Sequence, residues 1–382
     1  MKNHPNPSQP GLFEIFKAFL YIGTIGFGGG LAILAQIQRS VVERLRWLDN
    51  REFAEAVSVI QALPGVIAVN ISCFVGFKIR RWYGALAAVL GMLIPAFLSM
   101  LALSEFYLHF HEVPAMESVF AGMSPAIVAF ILFSTWKLGK SVLKSAWDWP
   151  LAAFAFLGLT FLNLGVVLTV LVAGLAGMIG SRIPAPKGTL ACLAWPLLLG
   201  AGVPLLAVGS HYLWPLFYSF LKVGAFTFGG GYVMVPLLEA EYVHKFQWLT
   251  HREFADSVAM GQITPGPIII TATFIGYKVA GLAGACLATL AVFFPSYLIT
   301  AVVSFYYQHF KANRTLQSFL RGVSPCVVGM LMAAIYSLGR VSLQSGWGVF
   351  IVLVTLLLAF RTNINSIWIL FVAGFIGWIV GR

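Results

Sequence analysis

The sequence predicts an all-α, polytopic membrane protein of two homologous halves, related as inverted repeats and containing broken or re-entrant helices. Three observations carry this. Of 382 residues, 59% are hydrophobic and 10% charged, whereas a soluble chain carries about 25% charged residues. Uncharged apolar runs recur at Trp82 to Ser104, Ser118 to Trp136, Trp149 to Ser181, Gly281 to Gln308, Gly322 to Gly339 and Gly346 to Phe360, several as long as the ~20 residues that span a bilayer. Third, Phe27-Gly28-Gly29-Gly30 returns as Phe228-Gly229-Gly230-Gly231, an offset of 201.

The repeat extends well beyond the glycines. Trp47-Leu48-Asp49-Asn50-Arg51-Glu52-Phe53-Ala54 matches Trp248-Leu249-Thr250-His251-Arg252-Glu253-Phe254-Ala255, and Gln61-Ala62-Leu63-Pro64-Gly65 matches Gln262-Ile263-Thr264-Pro265-Gly266. The offset then becomes 200, pairing Gly76-Phe77-Lys78 with Gly276-Tyr277-Lys278, Pro95 with Pro295, Ser124-Pro125 with Ser324-Pro325 and Leu138-Gly139 with Leu338-Gly339. Recurrence at a fixed period is the mark of a duplicated unit. We therefore divide the chain into an N-terminal membrane repeat at 1–188, an apolar linker at 189–211 and a C-terminal membrane repeat at 212–382.

In chain order, the first eleven residues are polar, hold Pro5, Pro7 and Pro10, and lack a signal-peptide pattern. Each half then reads as a glycine-broken span, an amphipathic loop, a Pro-Gly-broken segment and four spans. The linker, interrupted by Pro196 and Pro204, is either a hairpin or an extra span. Cys73, Cys192, Cys286 and Cys326 lie in apolar runs without Cys-x-x-Cys spacing and are expected to be buried free thiols. No metal site, catalytic residue or cofactor is expected.

The net charge of +11 does not point to nucleic acid, because the basic residues sit in short loops between apolar runs, as the positive-inside rule describes. Arg39, Arg44, Arg46, Arg51, Lys78, Arg80, Arg81, Lys137, Lys140 and Lys144 occupy one set of first-half loops, while the loops at 105–117 and 161–165 carry none. In the second half the formerly empty loops gain Lys311, Arg314, Arg321 and Arg361, and the other set thins to Lys245, Arg252, Lys278 and Arg340. Such a shift is what inversion of one half would produce. As one straight helix, 53–78 would be about 39 Å long and would place Arg51 and Lys78 on opposite faces. A re-entrant hairpin turning at Pro64-Gly65 keeps both on one face and is preferred.

A half-helix restarting after Pro64-Gly65 or Pro265-Gly266 would aim orphan N–H groups and a partial positive charge at the membrane centre, which suits an anion. Gly28, Gly29, Gly30, Gly229, Gly230 and Gly231 would let backbone amides approach; the plainer reading is helix packing through small residues. Gln61 and Gln262 before the breaks, with Asn70 and Thr271 or Thr273 after them, are uncharged donors for an oxyanion, or groups that satisfy backbone freed by the break. Lys222, inside an apolar span, is a candidate for the substrate site against simple snorkelling. Arg51, Lys78, Arg252 and Lys278 flank the hairpins as gating candidates, against a purely topological role. Glu52 and Glu253 stand at capping-box spacing from Asp49 and Thr250, and Glu55 and Asp256, one turn later, are candidates for proton coupling.

Phe-Gly-Gly-Gly, Trp-Leu-x-x-Arg-Glu-Phe and Gln-x-x-Pro-Gly, recurring in this order, resemble the chromate ion transporter family (ChrA type) in its long, two-domain form, over essentially the whole chain. The resemblance implies chromate efflux, with sulfate as a similar anion, at the bacterial inner membrane. Its motif positions fall on Gly28, Gly29, Gly30, Gln61, Pro64 and Gly65, and on Gly229, Gly230, Gly231, Gln262, Pro265 and Gly266. The copies differ at Leu63 against Thr264 and at Val66 against Pro267. Implied partners are a small oxyanion, the bilayer and a second copy of the chain as a homodimer; nucleic acid is not among them.

Export of a dianion from a negative cytoplasm gains about 4.6 kcal/mol per 100 mV. The sequence contains no Gly-x-x-x-x-Gly-Lys-[Ser/Thr] nucleotide-binding motif, so the expected drive is membrane potential, proton exchange or both. Rival readings are a proton-coupled sulfate importer and an intramembrane enzyme. The latter is disfavoured because no His-Glu-x-x-His or Gly-x-Ser-x-Gly motif occurs.

Overall fold

The computed structural model describes residues 10–27, 29–60, 63–110, 113–162, 164–180, 212–227, 231–306, 314–362 and 364–380. Gly28, Gln61, Gly229, Gly230, Cys192 and the 189–211 linker lie outside the described residues. Regular structure within them is helical, with seven α-helices per half. The first half runs α1 (Leu12–Ile25), α2 (Gly29–Gln38, continuing into a π-helical turn at Arg39–Arg44), α3 (Asn50–Ile60), α4 (Ile67–Phe110), α5 (Pro114–Val142), α6 (Asp148–Thr160) and α7 (Val166–Gly180). The second repeats the order as α8 (Leu213–Phe226), α9 (Met234–Glu239, with a π turn at Ala240–Lys245), α10 (His251–Ile263), α11 (Thr271–Phe305), α12 (Arg314–Ser342), α13 (Gly346–Arg361) and α14 (Ser366–Val380).

The Pro-Gly-broken segments are re-entrant hairpins. Lys78 Nζ lies 2.9 Å from Glu52 Oε1, which a straight helix over the same residues would hold about 39 Å apart. Lys278 pairs with Glu253 in the same way. Both carboxylates belong to helix starts: Glu52 N donates to Asp49 Oδ1 at 2.7 Å, and Thr250 and Glu253 complete a reciprocal capping box. One side chain thus ties the helix start to the returning arm. The arms end in a second reversal inside α4 at Arg80–Arg81 and inside α11 at Ala280–Gly281. There Gly76 lies so close to Gly84, and Gly276 to Gly284, that a methyl group would overlap the opposing carbonyl.

The two halves are inverted. The mouth of the first hairpin shares a face with Arg80, whose Nε donates to Pro10 O at 3.0 Å, and with Arg81, whose guanidinium covers the Phe305 ring at the end of α11. The second part of α4 then crosses to the opposite face. At its end Glu105 accepts a hydrogen bond from Tyr277, and Arg252 pairs with Glu117 at 2.7 Å. The second hairpin therefore enters from the face the first does not. Inversion sums the basic residues: the ten first-half loop cations share a face with Arg314, Arg321 and Arg361, against Lys245, Arg252, Lys278 and Arg340 on the other.

Among the described residues, four helices are long and apolar enough to cross a bilayer: α4, α5, α12 and α11 with its preceding turn. Four helical segments follow each hairpin, as expected, but the last two of each set are short. Helices α6 and α7 have 13 and 15 residues and are about 20 Å and 22 Å long against a hydrocarbon core of about 30 Å. These pairs are exchanged between halves: α6 and α7 pack on α12, and α13 and α14 on α5. Small residues set the contact, Gly177 against Gly322 and Gly377 against Gly122, backbone to backbone. Cys73 and Cys326 are buried as expected, but Cys286 is exposed, because it sits on the outward face of α11.

Candidate functional site

The two hairpin tips enter from opposite faces, and each is fastened to the broken first helix of the other half. Gly65 N donates to Thr227 O at 2.5 Å, and Gly266 N donates to Gly26 O at 2.7 Å. Thr227 and Gly26 end α8 and α1, at the start of the two glycine motifs. The tip glycines have φ of +107° and +96°, a region L side chains rarely adopt. Space is equally restrictive. A methyl at Gly65 would overlap the Ser296 hydroxyl and stand 2.8 Å from Asn70 Oδ1, and one at Gly266 would stand 2.9 Å from Ala96 Cβ.

Past the first tip, α4 begins at Ile67, so its first-turn amides, which lack intrahelical acceptors, face the centre of the fold. Asn70 Nδ2 donates to Pro64 O at 3.1 Å, and Asn70 N donates to Val66 O at 2.9 Å. Asn70 Oδ1 is buried without a partner among the described residues, as are Gln262 Oε1, Thr300 Oγ1 and Gln36 Oε1. Such orphans are costly in a dry interior. At the second tip, Thr271 Oγ1 donates to Ile268 O at 2.8 Å, so this hydroxyl is engaged in closing the tip. Pro64 and Pro265 precede the tip glycines, as their missing N–H allows.

The glycine motifs differ between halves. Gly29 has φ +81°, and among the described residues no heavy atom lies within 4 Å of where a Cβ would sit on Gly29 or Gly30. A Cβ on Gly231 would stand 3.3 Å from Ile268 Cβ.

The flanking ionisable residues are paired. Arg51 Nε lies 3.2 Å from Glu55 Oε1, both outside the tip region. Asp256, the repeat counterpart of Glu55, is buried and accepts a hydrogen bond from Tyr107 at 2.8 Å. Burial pushes its carboxyl up to about 6, against the opposing pull of Tyr107 and Arg252. For Glu253, burial alone would raise the carboxyl, but Lys278 and the Thr250 N–H outweigh it and hold it below the usual range. Lys222 faces Glu241, which also accepts from Ser219 at 3.2 Å and Lys245 at 3.3 Å. Its charge is thus compensated within the second half.

Sequence reasoning missed Ser296, Gly26, Thr227, Thr300, Gln36 and Tyr107. One signal was present: Pro95 and Pro295 match, while the next residues, Ala96 and Ser296, do not. A polar group appears in one copy only, directly against a tip.

The profile of one protein family, described as Chromate transporter, matches residues 13–178 and 214–378. The chain is 32% identical to a chromate transport protein of Cupriavidus metallidurans, over 92% of this chain and 88% of that one. It is 31% identical to a chromate transport protein of Pseudomonas aeruginosa, over 96% and 92% respectively. It is also 31% identical to an uncharacterized transporter of Methanocaldococcus jannaschii, over 100% and 96%. No solved structure matches the chain. With its apolar helices, these names describe a multi-pass membrane protein of the transporter class rather than an enzyme.

Proposed function

Because the chain belongs to the chromate transporter family, we propose that it exports chromate from the cytoplasm across the bacterial inner (plasma) membrane, driven by membrane potential and assisted by proton exchange. The anion is held where the two tips meet the broken first helices, by orphan amides at the start of α4 and by the polar groups of Asn70, Gln262 and Ser296. The observation that carries this reading is the crossed fastening of the tips, Gly65 to Thr227 and Gly266 to Gly26, which ties each Pro-Gly break to the end of the other half's first helix. Gly28, Gln61, Gly229 and Gly230 complete the proposed site by their position in the motifs.

Neutral N–H donors suit this task. A fixed lysine in the pocket would bind a dianion more tightly but slow its release, whereas helix N-termini supply partial charge that exit does not have to overcome in full. The face bearing the summed basic residues is cytoplasmic under the positive-inside rule. Outward movement of two charges gains about 4.6 kcal/mol per 100 mV, or about three decades of concentration. The Asp256–Tyr107 pair, beside the second hairpin mouth, is the proposed proton carrier, and Arg51, Glu55, Lys78, Arg252 and Lys278 hold the mouths. Lys222, compensated by Glu241, acts on the site through the local field rather than by contact.

Everted vesicles with an imposed voltage, positive inside, test the reading. Chromate uptake rises with voltage and with an opposing proton gradient if it is right. Uptake indifferent to both refutes it.

A further inference from the structure

The second half carries a group of ligating side chains that anion transport does not use. Glu239 ends α9, His244 lies on the following π turn and His251 begins α10. One ligating atom from each lies within 4.8 Å of the other two. His251 Nδ1 is 3.2 Å from Glu239 Oε1, and the His244 and His251 rings are 5.1 Å apart, edge to face. Glu239 is 3% exposed, and among the described residues its only ion-pair partner is His251. A buried carboxylate without lysine or arginine is expensive unless another cation compensates it. Ser337 on α12 donates to Glu239 Oε1 at 2.5 Å, an outer hydrogen bond of the kind that orients a metal-binding carboxylate. Beside the cluster lies a cavity of about 720 Å³ lined by His244, His251, Gln247, Trp248, Thr250 and Lys278 among others.

We propose that Glu239, His244 and His251 form a binding site for a divalent transition cation of the Zn²⁺ class, with its fourth position open to this cavity. Two imidazoles and one carboxylate are an established three-ligand set for Zn²⁺, which favours nitrogen donors where Mg²⁺ and Ca²⁺ favour all-oxygen sets. Bringing the three donors onto a tetrahedral ion requires closure by only about an ångström. The duplication supplies an internal control. The corresponding first-half residues are Gln38, Glu43 and Asn50, and there the Gln38 amide donates to Asn50 Oδ1 at 3.4 Å. A neutral amide pair thus does in one half what an ion would do in the other, joining the second helix to the start of the hairpin. The bound ion clamps the first arm of the second hairpin to α9 and, through Ser337, to α12.

The test uses the full chain in nanodiscs with any affinity tag removed. Zn²⁺ is titrated calorimetrically, and Co²⁺ is titrated as a visible-absorption probe. The expected result is one saturable equivalent, tetrahedral Co²⁺ bands, and an affinity loss of about 100-fold in E239Q and in H251N, with about 10-fold in S337A. E239Q and H251N install the residues of the first half, and their melting temperature in chelator reports whether they fold. Wild-type protein that gives no tetrahedral Co²⁺ spectrum, or folded variants that bind Zn²⁺ as the wild type does, would overturn the assignment.

Discussion

Gly65→Ala tests the tip geometry most directly. At φ +107° an alanine costs about 1–3 kcal/mol in backbone strain alone. The added methyl also overlaps the Ser296 hydroxyl and stands 2.8 Å from Asn70 Oδ1, an overpacking that costs a further 1–3 kcal/mol or so. Taking about 3 kcal/mol for the sum, the tip conformation falls in population by roughly 150-fold. Because the tip amide is fastened to Thr227 O, that loss also detaches the first hairpin from α8. Chromate uptake by everted vesicles should fall by about two decades. Adding Ser296→Gly removes the overlap with the hydroxyl but leaves the strain and the Asn70 contact, so the double variant should recover melting temperature in part, not in full. Gly29→Ala is the comparison: φ is +81° there and no described residue lies within 4 Å of the added methyl, so the strain is the expected cost. Uptake and melting temperature unchanged in Gly65→Ala would refute the placement of the tip; full recovery in the double variant would refute the strain argument.

Two further perturbations follow from the buried charges. Burial raises the Asp256 carboxyl from an ordinary 3.8 to about 6, so between those values the folded state holds a proton that the unfolded state has released. Stability should therefore fall as pH rises from about 4 to about 6, by up to ~3 kcal/mol, and level off above; thermal melts across this range should slope for the wild type and flatten for Asp256→Asn, and parallel profiles would refute the assignment. Lys222→Met leaves Glu241 beside Lys245 alone, and breaking a buried pair costs about 3–5 kcal/mol at most. The Lys222→Met/Glu241→Gln double variant should melt closer to wild type than Lys222→Met does; a double variant as unstable as the sum of the singles would show that the two residues do not act as a pair.

Inversion and the hairpins were legible in the sequence because they leave marks in charge. Arg51 and Lys78 must share a face, and the basic loops of the second half must shift, whatever the packing in between. The crossed tip contacts left no such mark: Gly65 and Thr227 are far apart in the chain and meet through backbone atoms, which carry no residue-type signature. The loop between α6 and α7 was legible at 161–165, but the shortness of the two helices was not, because the run from Trp149 to Ser181 carries no charge to mark where they end. Lys222 looked unpaired because Glu241 lies beyond the glycine break, brought back only by the fold. Ser296 was hidden by its neighbour, since the shared Pro295 draws attention from the residue that differs.

The exchange of short helices has a consequence for biogenesis. When the first half leaves the ribosome, α5 has no α13 and α14 to cover it, and α6 and α7 have no α12 to lie on. The early half must wait in the lipid, with its glycine-lined grooves bare, until the later one is inserted upside down beside it. A single polypeptide makes that wait short, because tethering turns the docking of two protomers into an intramolecular event at high effective concentration. Fusion of the two units thus secures the mating of opposed orientations that separate chains would have to find by lateral diffusion.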